Sequence, residues 1–341
     1  KINIIKMLNY DDKTLETLSK CNSREFLNIA PWICWESENS SYGKCLRRWA
    51  FYPRMLPIFA CSPHGAHHAS NIAPNELDDR VDLFFGWPKK IVKQRIFKNK
   101  KKSYVIAHPW IYYRKKYIGN PPSNRKGILY FFPHSNTHLT PKFDSLNRLM
   151  RSLKLLGNKY GGISICLSFH DIRKGLHKKL RKYSLPLVTA GDTNSHKFVD
   201  NFINLIYNYR FTCSSGIGSH AFHSIEARIP HFILSKEKFK YTCSKTKKVY
   251  SYDQDMKMYQ DTDDFKKLKK FEYTLKFCNQ KISAFQKKFV LDKMGFNDSI
   301  TRYEASFYLW KELFLNIHKW IPWYFYLFFK FFKKYLIREN K

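Results

Sequence analysis

Acidic residues are scarce in this chain. Only 27 Asp and Glu oppose 61 Lys and Arg among 341 residues, so the net charge is +34. A field of that sign attracts polyanions: nucleic acid, an anionic membrane surface or phosphorylated substrates. The Lys, Asn, Ile and Phe richness also fits plain compositional drift, which limits what the charge alone implies. No pair of the eight cysteines (Cys21, Cys34, Cys45, Cys61, Cys166, Cys213, Cys243, Cys278) has C-x-x-C spacing. That argues against a zinc ribbon or a thioredoxin-like motif. No long low-complexity tract is present, which argues against wholesale disorder. The first seven residues, Lys1 to Met7, lack the apolar segment and the small-residue cleavage site of a signal peptide. Reduced cysteines in a cytoplasmic protein are therefore expected. The apolar run Ile321–Phe329 near the end is far below the ~20 residues that cross a bilayer.

What is present points to an α/β protein. A chain of 341 residues exceeds one ordinary hydrophobic core, so two domains are expected. In the first third, Leu56–Cys61, Val81–Phe85 and Tyr104–Ala107 read as strands, and Lys89–Lys102 as a basic helix. The Gly-, Asn- and Pro-rich stretch Tyr117–Lys126 reads as the linker. A regular rhythm follows. Gly127–Phe132, Gly162–Phe169, Pro186–Ala190, Phe211–Cys213 and His231–Leu234 are short apolar runs. Helical spacing separates them at Phe143–Leu156, Asp171–Lys182, Ser195–Asn208 and Ser219–Arg228. Continuous apolar strands alternating with amphipathic helices predict a parallel, doubly wound sheet, whose ligands bind at the strand ends. The charged stretch Lys236–Lys276 reads as solvated loop and helix, and Lys287–Lys319 as helical. The resulting division is 1–126, 127–240 and 241–341.

Three strand ends carry polar residues suited to a ligand. The segment Thr212–Pro230 runs T-C-S-S-G-I-G-S-H-A-F-H-S-I-E-A-R-I-P, a strand, a Ser/Gly turn and a helix. Backbone N–H groups and the dipole at such a helix start can hold a phosphate, and Ser214 and Ser215 can donate to its oxygens. Gly216 and Gly218 allow close approach. A tight packing turn explains the same glycines equally well. Phe132-Pro133-His134-Ser135-Asn136 ends the first strand of the regular half. His134 and Ser135 could contact donor phosphates, and a protonated His offsets leaving-group charge. A polar turn capped by His134 is the alternative. In the first third, Ser62-Pro63-His64-Gly65-Ala66-His67-His68 follows a strand. His64 has the ordinary pKa of a general base at neutral pH, and a solvent-exposed loop fits as well. The three histidines lack the carboxylate or Cys spacing of a metal site, so no metal and no cofactor is expected. Glu36 and Glu38 are weaker base candidates. Asp78, Asp79 and Asp171 read as solvated turns.

The strand, Ser/Gly turn, helix and following Pro230 resemble the donor site of GT-B glycosyltransferases. The elements G-I-L-Y-F-F-P-H-S, S-F-H-D-I, V-T-A-G-D and S-S-G-I-G-S-H-A-F-H look more narrowly like bacterial surface-polysaccharide glycosyltransferases of capsule or lipooligosaccharide synthesis. That similarity spans about Tyr104 to Leu234. It implies two Rossmann-like domains facing across a cleft, with C-terminal helices that return to pack on the first half, and metal-independent transfer from a nucleotide-sugar donor to a glycan or lipid-linked glycan acceptor. Many members hold the donor ribose with a Glu seven positions before the Pro. Here that position is His223, and Glu226 stands four before it, so either could serve. His108-Pro109 resembles the His-Pro element of bacterial sialyltransferases and hints at a CMP-linked acidic sugar. A His-Gly pair like His64-Gly65 also resembles teichoic-acid-type phosphotransferases. A polyol-phosphate transferase using a CDP donor is therefore the second reading. A non-enzymatic nucleic-acid-binding protein is the third, supported by charge alone, and nucleic acid is not the expected partner. The aromatic tail with Lys319, Lys330, Lys333, Lys334 and Arg338 suits an interfacial helix on an anionic membrane. A peripheral place on the inner face of the cytoplasmic membrane follows as an expectation.

Overall fold

A computed structural model describes the chain except residues 1–6, 21–32, 64, 66–79, 100–101, 137, 235–238, 244, 247, 252–262, 277–280, 323 and 326–341. Helices α1 (Asp12–Leu18), α2 (Trp35–Glu38) and α3 (Tyr42–Trp49) come first. Strands β1 (Ala60–Cys61) and β2 (Leu83–Gly86), helix α4 (Lys89–Asn99) and strand β3 (Lys102–Val105) form the next unit. Their order is β1-β2-β3, all parallel. Helix α5 (Pro109–Tyr113) then runs into a π-helical turn, Arg114–Ile118, before the linker.

The regular half follows. It comprises β4 (Ile128–Phe131), β5 (Leu139–Phe143), α6 (Leu146–Tyr160), β6 (Ile163–Cys166), α7 (Phe169–Arg173), α8 (Leu176–Leu180), β7 (Leu187–Val188), α9 (Phe198–Tyr207), β8 (Phe211–Ser214), α10 (Ser219–Glu226) and β9 (His231–Ile233). Five of these strands make one parallel sheet in the order β7-β6-β4-β8-β9. Numbered within this half, the order is 3-2-1-4-5, with the chain reversing its winding between β4 and β8. The chain is thus an α/β protein with parallel sheets.

Pleating explains the packing on both sides of that sheet. In β4, Ile128 and Tyr130 face α6, with Leu149, Met150 and Leu153. Leu129 and Phe131 face α9, with Phe202, Ile203 and Ile206. With both faces covered, no polar position is tolerated along β4, which is why it reads as an unbroken apolar run. Residues 7–18 join this half although they precede it by a hundred residues. Tyr10 N donates to Leu187 O at 2.8 Å, Asp192 N to Leu18 O at 3.0 Å, and Leu15 is buried against Ile128 and Tyr130.

The end of the chain contributes to the other half. After β9 come β10 (Phe239–Cys243), β11 (Val249–Ser251), α11 (Asp263–Thr274), α12 (Ala284–Lys293) and α13 (Arg302–Leu315). Ala305, Leu309 and Leu313 of α13 pack into the core of the three-stranded sheet with Phe59, Phe84 and Phe85. Both α12 and α13 begin with a capping box, Ser283 with Gln286 and Thr301 with Glu304, which satisfies the first N–H groups of each helix. A division at residue 126 therefore cuts across both cores.

Two readings of the sequence are corrected here. The stretch taken as solvated loop and helix contains β10 and β11, which pair antiparallel with each other and with β5. Phe239, Tyr241 and Cys243 alternate with Lys240 and Thr242, a period-2 signal hidden by the surrounding lysines. The long helix expected over Lys287–Lys319 is broken after Lys293 and again at Asn316, where α13 gives way to a further helical stretch. Among the described residues, no helix is long and apolar enough to cross a membrane. The aromatic tail beyond residue 325 lies outside the described residues.

Candidate functional site

The winding reversal between β4 and β8 puts their C-terminal ends at the place where ligands bind in such sheets, which makes this the candidate crevice. β4 delivers Pro133 to Asn136 to it, and β8 delivers Ser215 to Gly218. A hydrogen bond of 2.6 Å between Tyr130 Oη and Ser215 Oγ ties the two ends together. Gly218 caps α10 with extended backbone and no side-chain acceptor. A Cβ there would meet the His220 ring at 2.7 Å, so only glycine lets that ring lie over the turn. The His220 ring in turn stacks on Phe131 at 4.8 Å.

Beneath this turn sits a polar triad that the sequence does not reveal. His231 of β9 is buried, with Nδ1 2.9 Å from Thr212 Oγ1 and Nε2 3.0 Å from Ser214 Oγ. Burial, with His220 nearby, drives its pKa well below the ordinary value, so the ring is neutral and offers one donor and one acceptor. Ser214 also donates to Gly216 O at 2.7 Å and is 2% exposed. Its hydroxyl shapes the turn from within. Ser215, half-buried, is the hydroxyl at the crevice.

The end of β6 supplies a carboxylate. Asp171 is fully buried, which corrects its reading as a solvated turn. Ser135 N donates to Asp171 Oδ1 at 3.0 Å, joining the ends of β4 and β6, and Ser135 is itself 2% exposed. Asp171 Oδ2 is buried without a hydrogen-bond partner among the described residues. Burial raises its pKa, partly opposed by the Ser135 hydrogen bonds and by the His134 and Lys174 charges. His134 stands beside it at the surface, its pKa lowered by partial desolvation and partly restored by the Asp171 charge. A carboxyl with a raised pKa at a ligand crevice is equipped for proton transfer. The signal in the sequence is Ser168 capping α7 over Asp171, a strand-end carboxylate in the first turn of a helix.

His64 lies outside the described residues, as do His67 and His68. Its neighbour Gly65 is described and has φ +80. Trp87 Nε1 donates to Gly65 O at 2.8 Å, and a Cβ on Gly65 would come within 2.6 Å of Ser219 Oγ. The turn after β1 therefore abuts the first residue of α10, across from the Ser/Gly turn.

His223 and Glu226 point elsewhere. His223 is 4% exposed, in a box with His108 (4.7 Å between ring centroids) and Trp110 (4.3 Å). Burial, then the nearby His220, lowers its pKa to about 3. His108 is also fully buried and neutral, its pKa lowered by burial and by His223. Its Nδ1 accepts from Trp110 N at 3.3 Å. Glu226 forms a bidentate pair with Arg114 at 2.7 and 2.8 Å, at the opposite end of α10 from the Ser/Gly turn. Glu38 is taken by a similar buried pair with Arg47, at 2.6 and 2.7 Å. Neither carboxylate is available as a base or as a ribose contact in this arrangement.

Contacts from the N-terminal segment close the seam between the two parallel sheets. Ser40 N donates to Thr193 O at 2.7 Å, Trp110 Nε1 to Ser40 O at 2.9 Å, and Ser41 Oγ to Ser195 O at 2.9 Å. Ser40 and Ser41 are both left-handed, a conformation that persists only where surrounding contacts enforce it. No three described His, Cys, Asp or Glu side chains are grouped to hold a metal ion. Comparison with family models, with curated proteins and with solved structures finds no match to the chain.

Proposed function

We propose that the protein transfers a sugar from a nucleotide-activated donor to a glycan or lipid-linked glycan, with the donor seated in the crevice between β4 and β8. The observation that carries this reading is the junction itself. A 3-2-1-4-5 parallel sheet brings a Ser/Gly turn and a helix start to its winding reversal, and the turn after β1 of the second sheet abuts that helix start. Two parallel sheets brought together at that point support a GT-B-like reading, in which two Rossmann-like halves face each other across a cleft. Ser215, the Gly216–Gly218 backbone and His134 are the donor-phosphate contacts in this scheme. His64 is the general base, and Asp171, buried against Ser135 at the end of β4, is a second acid–base candidate. His223 and Glu226 act behind the site, in packing.

Turnover of His64→Ala and Asp171→Asn tests the assignment. The variant that removes the base loses more than ~10²-fold in turnover with nucleotide binding intact. Near-normal turnover in both variants rules out both assignments. Product mass separates sugar transfer from polyol-phosphate transfer, since the latter leaves a phosphodiester.

A further inference from the structure

The opposite end of the five-stranded sheet holds a second concavity. Its volume is about 710 Å³, and it opens where β4, β8 and β9 begin rather than where they end. Arg125 precedes β4, Arg210 precedes β8 and Arg228 precedes β9. Lys115 enters from the π-helical turn, and Lys281 and Lys287 from the start of α12. With Arg114, seven cations line one cavity. Among the described residues the only carboxylate lining it is Glu226, paired with Arg114 at 2.7 Å. Arg125 is held partly buried by bonds to Pro122 O (2.8 Å) and Tyr209 O (3.4 Å). Burial, reinforced by Arg210, lowers its pKa from the ordinary guanidinium value. Two like charges are thereby kept close where relaxing apart would relieve them.

Arg228 supplies a second, independent observation. It follows the last turn of α10 with φ +63, while Ile229 N bonds Ser224 O at 2.8 Å. That is the helix-end position where glycine is strongly favoured, because a Cβ is disfavoured in the left-handed region. An arginine there keeps a conformational penalty that glycine would relieve, and its exposed side chain stands over the cavity.

We propose that this cavity is a binding site for a small anion carrying two or more phosphate groups, separate from the donor crevice. Guanidinium forks from different strands match phosphate oxygens bidentately, while lysines add point charge. The volume fits a small metabolite, and Ile282, Val290 and Leu291 give its non-phosphate part an apolar wall. The walls come from the linker, three strand starts and α12, so an occupied site would tie the C-terminal helices to the sheet. The proposal does not depend on the donor reading.

Calorimetric titration of the full chain with inorganic tripolyphosphate tests it, on wild type, Arg228→Gly, Arg210→Gln and Ser215→Ala. Arg228→Gly relieves the left-handed penalty, so its melting temperature is equal or higher, while tripolyphosphate affinity falls at least about tenfold. Arg210→Gln weakens the same event, and Ser215→Ala leaves it intact. Unchanged affinity in Arg228→Gly and Arg210→Gln overturns the proposal. So does the absence of saturable binding, or loss of the event in Ser215→Ala, which locates the anion in the crevice. Salt-sensitive binding of single-stranded RNA that tripolyphosphate cannot displace also overturns it, in favour of a nucleic-acid surface.

Discussion

The two parallel sheets of this protein are built in opposite ways. The five-stranded sheet takes all its strands from one stretch, β4 to β9, while α1 and the buried Tyr42, Cys45, Trp110 and Tyr113 pack onto it from earlier in the chain. The three-stranded sheet has strands of two to four residues and completes its core with α13, some 200 residues further along the chain. The first is built on strands that are local in sequence. The second depends on distant pieces. The seam joins residues from both: Trp110 and His108 on one side, His223 and Thr193 on the other. A site at such a seam exists only while both halves hold their relative position.

The strongest test of that comparison removes a strut between the halves. Arg114 lies between the sheets in sequence and reaches Glu226 of α10, and both side chains are nearly fully buried. Arg114→Ala leaves a buried carboxylate without its partner, and chemical denaturation should show a loss of about 3–5 kcal/mol. Replacing both residues with apolar ones should recover most of it. A loss below about 1 kcal/mol would mean that the pair is solvated and the seam is loose.

Acid should weaken the same seam. His108, His223 and His231 all have pKa values depressed by burial. In the unfolded chain they titrate near 6.5, so below that pH the unfolded state binds more protons. Their stabilising contribution is complete above pH 6.5 and is lost as pH falls toward about 3 for His223. For His223 the loss is about 1.4 kcal/mol per pH unit below 6.5, and His108 and His231 add to it in the same direction. Asp171, raised by burial, shifts in the opposite sense and offsets part of this in the acid range. Flat stability as pH falls below about 6.5 would show that the rings are hydrated rather than buried.

A smaller effect separates integral from peripheral packing of α13. Leu309 is 1% exposed in the core of the three-stranded sheet. Leu309→Ala should destabilise by about 3 kcal/mol if the helix completes that core. A change under about 1 kcal/mol would make α13 an appendage, and the three-stranded sheet the more independent of the two.

The same contrast explains what the sequence made legible. The regular strands and helices of the five-stranded sheet are readable because each is a local pattern: apolar runs buried on both faces, helical spacing between them, polar residues at the ends. The ends of β4 and β8 were readable as candidate ligand positions for the same reason. The division of hydroxyls was not. Ser214 and Ser215 are adjacent and chemically alike, yet one turns inward to His231 and the other to the crevice, because strand residues alternate between faces. Asp171 sat in a basic helical segment and resembled a solvated charge, although the first turn of α7 buries it. Glu226 and Glu38 could not be set aside without knowing that Arg114 and Arg47 reach them. The return of the C-terminal helices to the first half is expected from the family resemblance and is seen in α13, although no local pattern encodes that long-range contact.

The most direct measurement is the melting temperature of the protein with CMP, CDP, UDP and GDP, on wild type and Gly218→Val. A nucleotide that binds the folded crevice stabilises by about 2.7 kcal/mol at 100 times its dissociation constant. The account predicts a concentration-dependent rise with at least one of the four. It also predicts that Gly218→Val abolishes the rise, because any side chain there collides with the His220 ring. No rise with any nucleotide, or an equal rise in the variant, would contradict a donor site between β4 and β8.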